Sequence, residues 1–488
     1  MKRCGISGNF LSMIKDLYKR TKCSVKVGNS VTDFFKFTKG VRQGCPMSPL
    51  LFNLFVNDIF EVVNACDGSD ISLEGSKINA LMYADDLILL SESEKGLQKQ
   101  IDKVGEYCEK WKLEINVKKT KVMIFNRGNK LLKRHLYFNG KAIENVKTFK
   151  YLGFTISAKN CSFAPTIDNL ALKANRAVFA LNNKIKISKL PVRVALKIFN
   201  SQIMPILLYG SEVWGPYMDF DYASWDKSKI EQVHTQFLKR AVGCNFQTSN
   251  IMARGEVGRR PLLLDIFKRV VAYTKNIKNR TSSTVFSAYD FEVNNALNND
   301  PNPNFATYVD KFDLNCENIF DVSKSSLTKL CQESYDRLWW IQISNSPKAI
   351  SYITFKSRVK FESYFHQVDK LNHRKSLTRF RMSNHSLMIE KGRHLRPKLE
   401  RGERKCFICK TDVEDEFHFV TKCSLYTGER KCLFNTFSNK CNNFESMTEK
   451  QRFIYIFSNE DIDLARALSK FLFRSFKLRD LIYLYFFK

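Results

Sequence analysis

Ala80-Leu81-Met82-Tyr83-Ala84-Asp85-Asp86-Leu87-Ile88-Leu89-Leu90 sets two adjacent carboxylates between two apolar runs. An acidic pair flanked by strand-like runs predicts a β-hairpin with Asp85 and Asp86 at its tight turn. Adjacent aspartates repel, and apolar flanks do nothing to relieve that. Bound divalent cations would: carboxylates held close together suit a Mg²⁺ site whose other ligands are substrate phosphates and water. Alone, Tyr83-Ala84-Asp85-Asp86 is a string that any acidic hairpin turn could spell.

Upstream lies Arg42-Gln43-Gly44-Cys45-Pro46-Met47-Ser48-Pro49-Leu50-Leu51-Phe52, a small-residue loop running into a helix. Ser48 reads as the N-cap and Pro49 as the first helical residue. The helix is expected to run to about Asn64 and to bury Leu50, Leu51, Leu54, Phe55, Ile59 and Val62. Gly44 would let a base or sugar approach the backbone closely. Arg42 and the helix N-terminus favour phosphate nearby. The plainer alternative is an ordinary capped helix after a tight turn.

Around these segments the pattern is α+β. Residues 9–22 read as a helix, and Ser24 to Thr38 as a hairpin turning at Gly28-Asn29. Leu97, Ile101, Val104, Cys108 and Trp111 mark a further helix. Leu113–Val117 and Val122–Phe125 alternate like strands, and Phe149–Phe154 closes the region. From about 160 to 280 the pattern is helical, with Pro191 and Pro261 placed like first helical residues. Residues 294–304 are too rich in Asn and Pro for a regular element and read as a linker. The remainder is basic, aromatic and mostly helical.

The 488 residues imply two or three domains, and 44% hydrophobic content argues against extensive disorder. Lys and Arg number 79 against 49 Asp and Glu, leaving +30. That excess points to a polyanionic partner, nucleic acid first, over a basic surface that only aids solubility. Fourteen cysteines without a disulfide-framework rhythm, and no signal peptide, fit a reducing compartment, nuclear or cytoplasmic. No apolar run reaches the roughly 18 residues that a membrane span needs.

Cys406, Cys409, His418 and Cys423 are spaced C-x₂-C-x₈-H-x₄-C, which reads as a closed four-ligand structural Zn²⁺ site. Free cysteines in a helical core are the alternative. Over 354–405, 15 Lys and Arg face 5 Asp and Glu, interleaved with Phe355, Phe361, Tyr364, Phe365 and Phe380. Such a stretch fits single-stranded nucleic acid through phosphate contacts and ring stacking. Aromatics at helical spacing also fit a core. The tail from Phe471 reads as a helix docked on the zinc-containing region.

Taken together, Arg42–Phe52 followed by Tyr83-Ala84-Asp85-Asp86 resembles the palm of reverse transcriptases, most closely those of non-LTR retrotransposons. Asn116-Val117-Lys118-Lys119-Thr120-Lys121 and Tyr151-Leu152-Gly153 are similar to the next two polymerase motifs. Pro205–Gly215 and Gly255–Leu262 are similar to segments that follow the palm in such elements, and many of these polymerases end in a zinc knuckle. The resemblance implies Asp85 and Asp86 as ligands of two Mg²⁺ ions, and Arg42, Gln43 and Gly44 against the template–nucleotide pair. It further implies Lys119 as acid for the pyrophosphate leaving group, and Tyr151, Leu152 and Gly153 as the primer grip. RNA template, DNA primer or target, and deoxynucleoside triphosphates would be the partners, with no membrane.

The family's first catalytic aspartate lies on a palm strand ahead of Gly5-Ile6-Ser7-Gly8. A chain starting at Met1 is therefore expected to lack that strand and the fingers, with Asp16 and Asp33 as poor substitutes. The expected domains are a partial palm over 1–156, a thumb-like helical region over 157–290, a linker over 291–310, and a basic helical C-terminal domain over 311–488. That last domain would hold the zinc site, 406–423. Two functions follow: RNA-directed DNA polymerase, or a non-catalytic nucleic-acid-binding remnant with a structural zinc domain.

Overall fold

The two apolar runs pair into the hairpin expected around the aspartates. In the computed structural model, which describes residues 1–2, 5–36, 40–42, 44–66, 71–73, 76–126, 134–158, 162–218, 222–281, 283–290 and 321–487, β1 (Ala80–Tyr83) pairs antiparallel with β2 (Asp86–Leu89). Tyr83 faces Asp86 and Met82 faces Leu87. That register puts Ala80, Met82, Leu87 and Leu89 on one side of the ribbon and Leu81, Tyr83, Asp86 and Ile88 on the other. The first side packs on Ile59 and Val63 of α3 (Ile59–Asn64) and on Val104, Tyr107 and Cys108 of α4 (Glu94–Trp111). The second side, with Leu81 and Tyr83 exposed, faces outward.

Helix α1 (Gly8–Lys19) lies ahead of the hairpin, followed by a two-stranded ribbon turning at Gly28-Asn29, as the alternation predicts. Helix α2 (Ser48–Val56) begins one residue earlier than expected, and Asn57-Asp58 interrupts it before α3. The Ser48 hydroxyl does not cap α2. It donates to the Arg42 carbonyl at 2.6 Å instead and so ties the loop shut. The buried stripe is Val56, Ile59 and Val63, while Leu50 and Phe55 are exposed. At the interruption, Asp58 accepts a 2.5 Å bond from the Tyr107 hydroxyl of α4. Burial, helped by that bond, pushes the Tyr107 phenol well above its usual range.

Helix α4 starts on Ser93, whose side chain accepts from the Gly96 N–H, and ends on left-handed Lys112. Leu113–Val117 is not a strand. The Asn116 side chain and carbonyl both accept from the Lys119 N–H, at 3.2 and 3.0 Å, and fold 116–120 into a turn. A local side-chain bond of this kind competes with strand pairing. Strands among the described residues occur as two-stranded pieces beside long helices, an α+β arrangement.

The chain divides into two compact units: Met1–Phe149, Ser157–Cys161 and Thr281–Asn294 in one; Lys150–Ile156, Ser162–Arg280 and Asn295–Lys488 in the other. In the second unit one continuous apolar core runs from Ile167 to Leu472. It joins α5 (Ala164–Ile185), α6 (Lys229–Val242), α7 (Asn250–Glu256), α8 (Leu263–Lys278), α9 (Lys324–Ser344), α10 (Leu371–Arg381), α11 (Glu416–Thr421) and α12 (Ile462–Phe487). Trp214, Trp225 and Trp339 are wholly buried there. The linker expected over 291–310 falls outside the described residues. No described helix is long and apolar enough to cross a membrane.

Candidate active site and metal centre

The two aspartates sit where the hairpin turns. Ala84 and Asp85 are its central residues, and Asp86 opens β2, both carboxylates being exposed. Of the two central residues only Ala84 has a positive φ, 52°, the pattern of a type II′ turn, in which that position favours glycine. An alanine there carries about 1–2 kcal/mol of backbone strain. The strain is sustained by the apolar back of the hairpin, clamped on α3 and α4. Exposed carboxylates on a clamped turn supply an all-oxygen donor set with room for phosphate and water, which fits Mg²⁺.

In the loop before α2, Gly44 has φ 78° and a Cβ there would meet nothing within 4 Å. The residue is required for the bend, and the space over it is open. The Cys45 thiol is held below its usual value by the Met47 N–H, with smaller help from Ser48 and Arg42. The same donors would favour any anion at this place. Gln43 lies outside the described residues. Asp16 is committed to Arg20 at 2.8 Å on α1, and Asp33 is exposed between short strands. Lys119 is exposed at the end of the Asn116 turn.

Tyr151-Leu152-Gly153 forms a second hairpin turn, between β3 (Thr148–Tyr151) and β4 (Phe154–Ser157). Leu152 at φ 45° and Gly153 at φ 87° give it two left-handed residues, as in type I′ turns. Tyr209 pins it, its hydroxyl donating to the Leu152 carbonyl at 2.8 Å. A Cβ on Gly153 would fall 2.7 Å from the Tyr209 ring, and one on Gly210 2.1 Å from the Phe154 ring. Each glycine thus makes room for an aromatic of the other segment. This explains Gly210 within Pro205–Gly215 but was not readable from either segment alone.

Arg254-Gly255-Glu256 is a site that sequence reading missed, although Gly255–Leu262 had been singled out. Both charges are buried. Arg254 grips Asp226 through two bonds, at 2.6 and 2.9 Å, and reaches Glu231 at 3.1 Å. Glu231 also takes the His234 ring at 2.9 Å and the Trp225 indole N–H at 2.8 Å. On the other side, Glu256 receives Tyr352, Tyr364 and Arg381. A buried charge is tolerated only when paired in this way. Opposite charges either side of a glycine, set among Ile251, Met252, Ala253 and Val257, are the signal that would have flagged it.

Among the cysteines, Cys406, Cys409 and His418 offer ligand atoms that all lie within 4.8 Å of one another. Cys423 lies beside Cys406, its Sγ 3.9 Å away, but outside that mutual group, while Cys409 Sγ lies 3.5 Å from His418 Nε2. Tetrahedral zinc with three sulfurs and one nitrogen spaces its ligands roughly 3.5–3.8 Å apart. The donor set, and the closeness of Cys406, Cys409 and His418, therefore fit Zn²⁺. Asp412 stands 3.6 Å from His418 Nδ1, where a carboxylate would orient the ring. The hydrogen bond with Cys423 and burial push the Cys406 thiol up to about 12, while the same bond pulls Cys423 down.

The acidic insert between Cys409 and His418 is used internally. Glu414 receives the Arg479 guanidinium of α12 at 3.0 and 2.8 Å, and Glu416 receives Ser351, Ser383 and His385. The rings expected to stack bases are mostly core. Tyr364, Phe365 and Phe380 are buried, Phe355 stacks on Phe457, and Phe361 lies under Arg193.

Comparison with known proteins bears on the first unit most directly. Residues 1–156 match the family model described as "Reverse transcriptase (RNA-dependent DNA polymerase)". The chain is similar to the "Probable RNA-directed DNA polymerase from transposon BS" of Drosophila melanogaster, 21% identical over 284 residues, covering 56% of this chain and 30% of that protein. It is 27% identical over 213 residues to the "RNA-directed DNA polymerase from mobile element jockey" of the same species, covering 42% and 22%. Over 216 residues it is 26% identical to the "Retrovirus-related Pol polyprotein from type-1 retrotransposable element R2" of Popillia japonica, covering 42% and 33%. The matches thus span a third or less of these relatives' length. Residues 1–156 thus match the reverse-transcriptase family model, and the proteins that the chain resembles are named as RNA-directed DNA polymerases and Pol polyproteins of transposable elements.

Proposed function

We propose that the chain adds deoxynucleotides to a primer 3′ end on an RNA template, with Asp85 and Asp86 as the carboxylates that hold Mg²⁺. The observation that carries this reading is the strained, clamped II′ turn at Ala84-Asp85, since strain is retained where a site needs its geometry. When bound, Mg²⁺ would neutralise triphosphate charge and lower the pKa of the attacking hydroxyl. The chain's own residues do the rest. Arg42 and the N-terminus of α2 would receive phosphate, and the open space over Gly44 would admit the template–nucleotide pair. Lys119, exposed and fixed by the Asn116 turn, would give a proton to the leaving pyrophosphate. Tyr151-Leu152-Gly153, pinned by Tyr209, would hold the primer end.

In this reading 1–156 is a partial palm, the following helices act as thumb, and Zn²⁺ on Cys406, Cys409, His418 and Cys423 pins the C-terminal domain. The test is primer extension by the whole chain on an RNA template with Mg²⁺ and deoxynucleoside triphosphates. Template-dependent extension is expected. Tight binding of primer–template with no extension would favour the non-catalytic remnant.

A further inference from the structure

The rings that sequence reading offered for stacking are packed away, yet one large aromatic remains exposed amid cations. Phe246, 54% exposed, sits on the loop after α6, with the Arg240 guanidinium 5.6 Å from its ring centre. The loop is pinned from several sides. Lys239 Nζ donates to the Phe246 carbonyl at 2.8 Å, Arg379 Nε to the Gly243 carbonyl at 2.8 Å, and the Asn245 N–H to Asn384 Oδ1 at 3.1 Å. The Lys375 stem of α10 covers left-handed Gly243, lying 2.8 Å from where a Cβ would stand.

We propose that the Gly243–Thr248 loop and the outer face of α10 bind single-stranded nucleic acid, with Phe246 stacking on a base and Arg240, Lys375 and Arg379 contacting phosphates. Charge complementarity selects this occupant. Burial lowers the Lys375 pKa, and the crowding Arg379, Arg374 and Lys189 lower it further. Among the described residues Arg240, Lys375 and Arg379 have no carboxylate ion-pair partner. A like-charge cluster of that kind is relieved by a polyanion. A rigid loop presenting a ring beside cations supplies the stacking platform that sequence-tolerant single-strand binding uses. Duplex would offer phosphates but no unstacked base to Phe246.

This inference does not rest on polymerase activity, and its test omits nucleotide and divalent cation. Fluorescence anisotropy of the whole chain would compare labelled oligo(dT), oligo(rU) and a blunt duplex of equal length. Phe246→Ala should weaken single-strand binding on the order of tenfold, leave the duplex unchanged, and keep the thermal midpoint. Phe246→Tyr should bind as the natural chain does. Comparable loss for oligo(dT) and oligo(rU) is expected, since a π-face reads neither sugar. Wild-type single-strand affinity in Phe246→Ala, or equal loss for single strand and duplex, overturns the proposal. Should that variant fail to fold, Lys375→Gln serves: it should shallow the salt dependence of binding by about one phosphate contact, and an unchanged slope overturns the proposal equally.

Discussion

The hydroxyl of Tyr209 donates a 2.8 Å hydrogen bond to the carbonyl of Leu152, fastening the Tyr151-Leu152-Gly153 turn to the segment that ends in Gly210. Leu152 is a non-glycine residue at φ 45°, so this bond helps hold a conformation that the chain alone disfavours.

Tyr209→Phe should therefore cost about 1 kcal/mol of unfolding free energy, the usual net worth of one hydrogen bond. Gly210→Ala should cost clearly more, because it adds a Cβ 2.1 Å from Phe154 at a residue with φ 62°. Urea titration of the two variants checks the order. Gly210→Ala as stable as the natural chain would refute the interlock.

Much of the first unit was legible because it rests on period and turn chemistry. The two apolar runs around Asp85-Asp86 and the Gly28-Asn29 turn identify their ribbons without reference to the rest of the chain. Ser48 shows the limit. Its type and position fit an N-cap, but the Arg42 carbonyl six residues back is the better-placed partner, and only the folded loop reveals that. Likewise Leu113–Val117 alternates, yet Asn116 turns the backbone on itself. In the second unit, the spacing of Cys406, Cys409, His418 and Cys423 suggests a ligand set, and the ligand atoms of the first three lie within 4.8 Å of one another. Over the basic stretch 354–405 stacking and core both stayed open, since helical spacing alone does not separate a stacking platform from a core, and Phe380 is core.

Acid should weaken the second unit through Glu231. Burial alone would raise its carboxyl pKa, but His234 and Arg254 outweigh burial and hold it below the usual 4.5. A group depressed in the folded state stabilises above its unfolded pKa and loses that contribution as pH falls through the folded one. Stability should hold above about pH 4.5 and decline below it. Glu231→Gln should flatten that decline while costing about 3–5 kcal/mol near neutrality, since Arg254 loses a buried counter-charge. Equal acid sensitivity in both forms, read from urea midpoints between neutral pH and pH 3, would exclude Glu231 as the cause.

Zinc content offers an independent check of the C-terminal unit. Cys409→Ser should abolish stoichiometric zinc, measured by mass spectrometry of purified protein, because three ligands hold structural zinc poorly. Chelation of the natural chain should lower its thermal midpoint, the bound metal being worth folding free energy. Unchanged metal content in Cys409→Ser would break the four-ligand assignment.

The most direct test of the account is primer extension by the natural chain beside Asp85→Asn, on one RNA template with binding measured in parallel. The account predicts template-dependent extension by the natural chain. It also predicts a loss of at least a hundredfold in Asp85→Asn, on the order of removing one preorganised electrostatic group from a catalytic site, with primer–template binding kept within about twofold. Equal extension by the two forms would contradict the assignment of the metal to the turn at Ala84-Asp85.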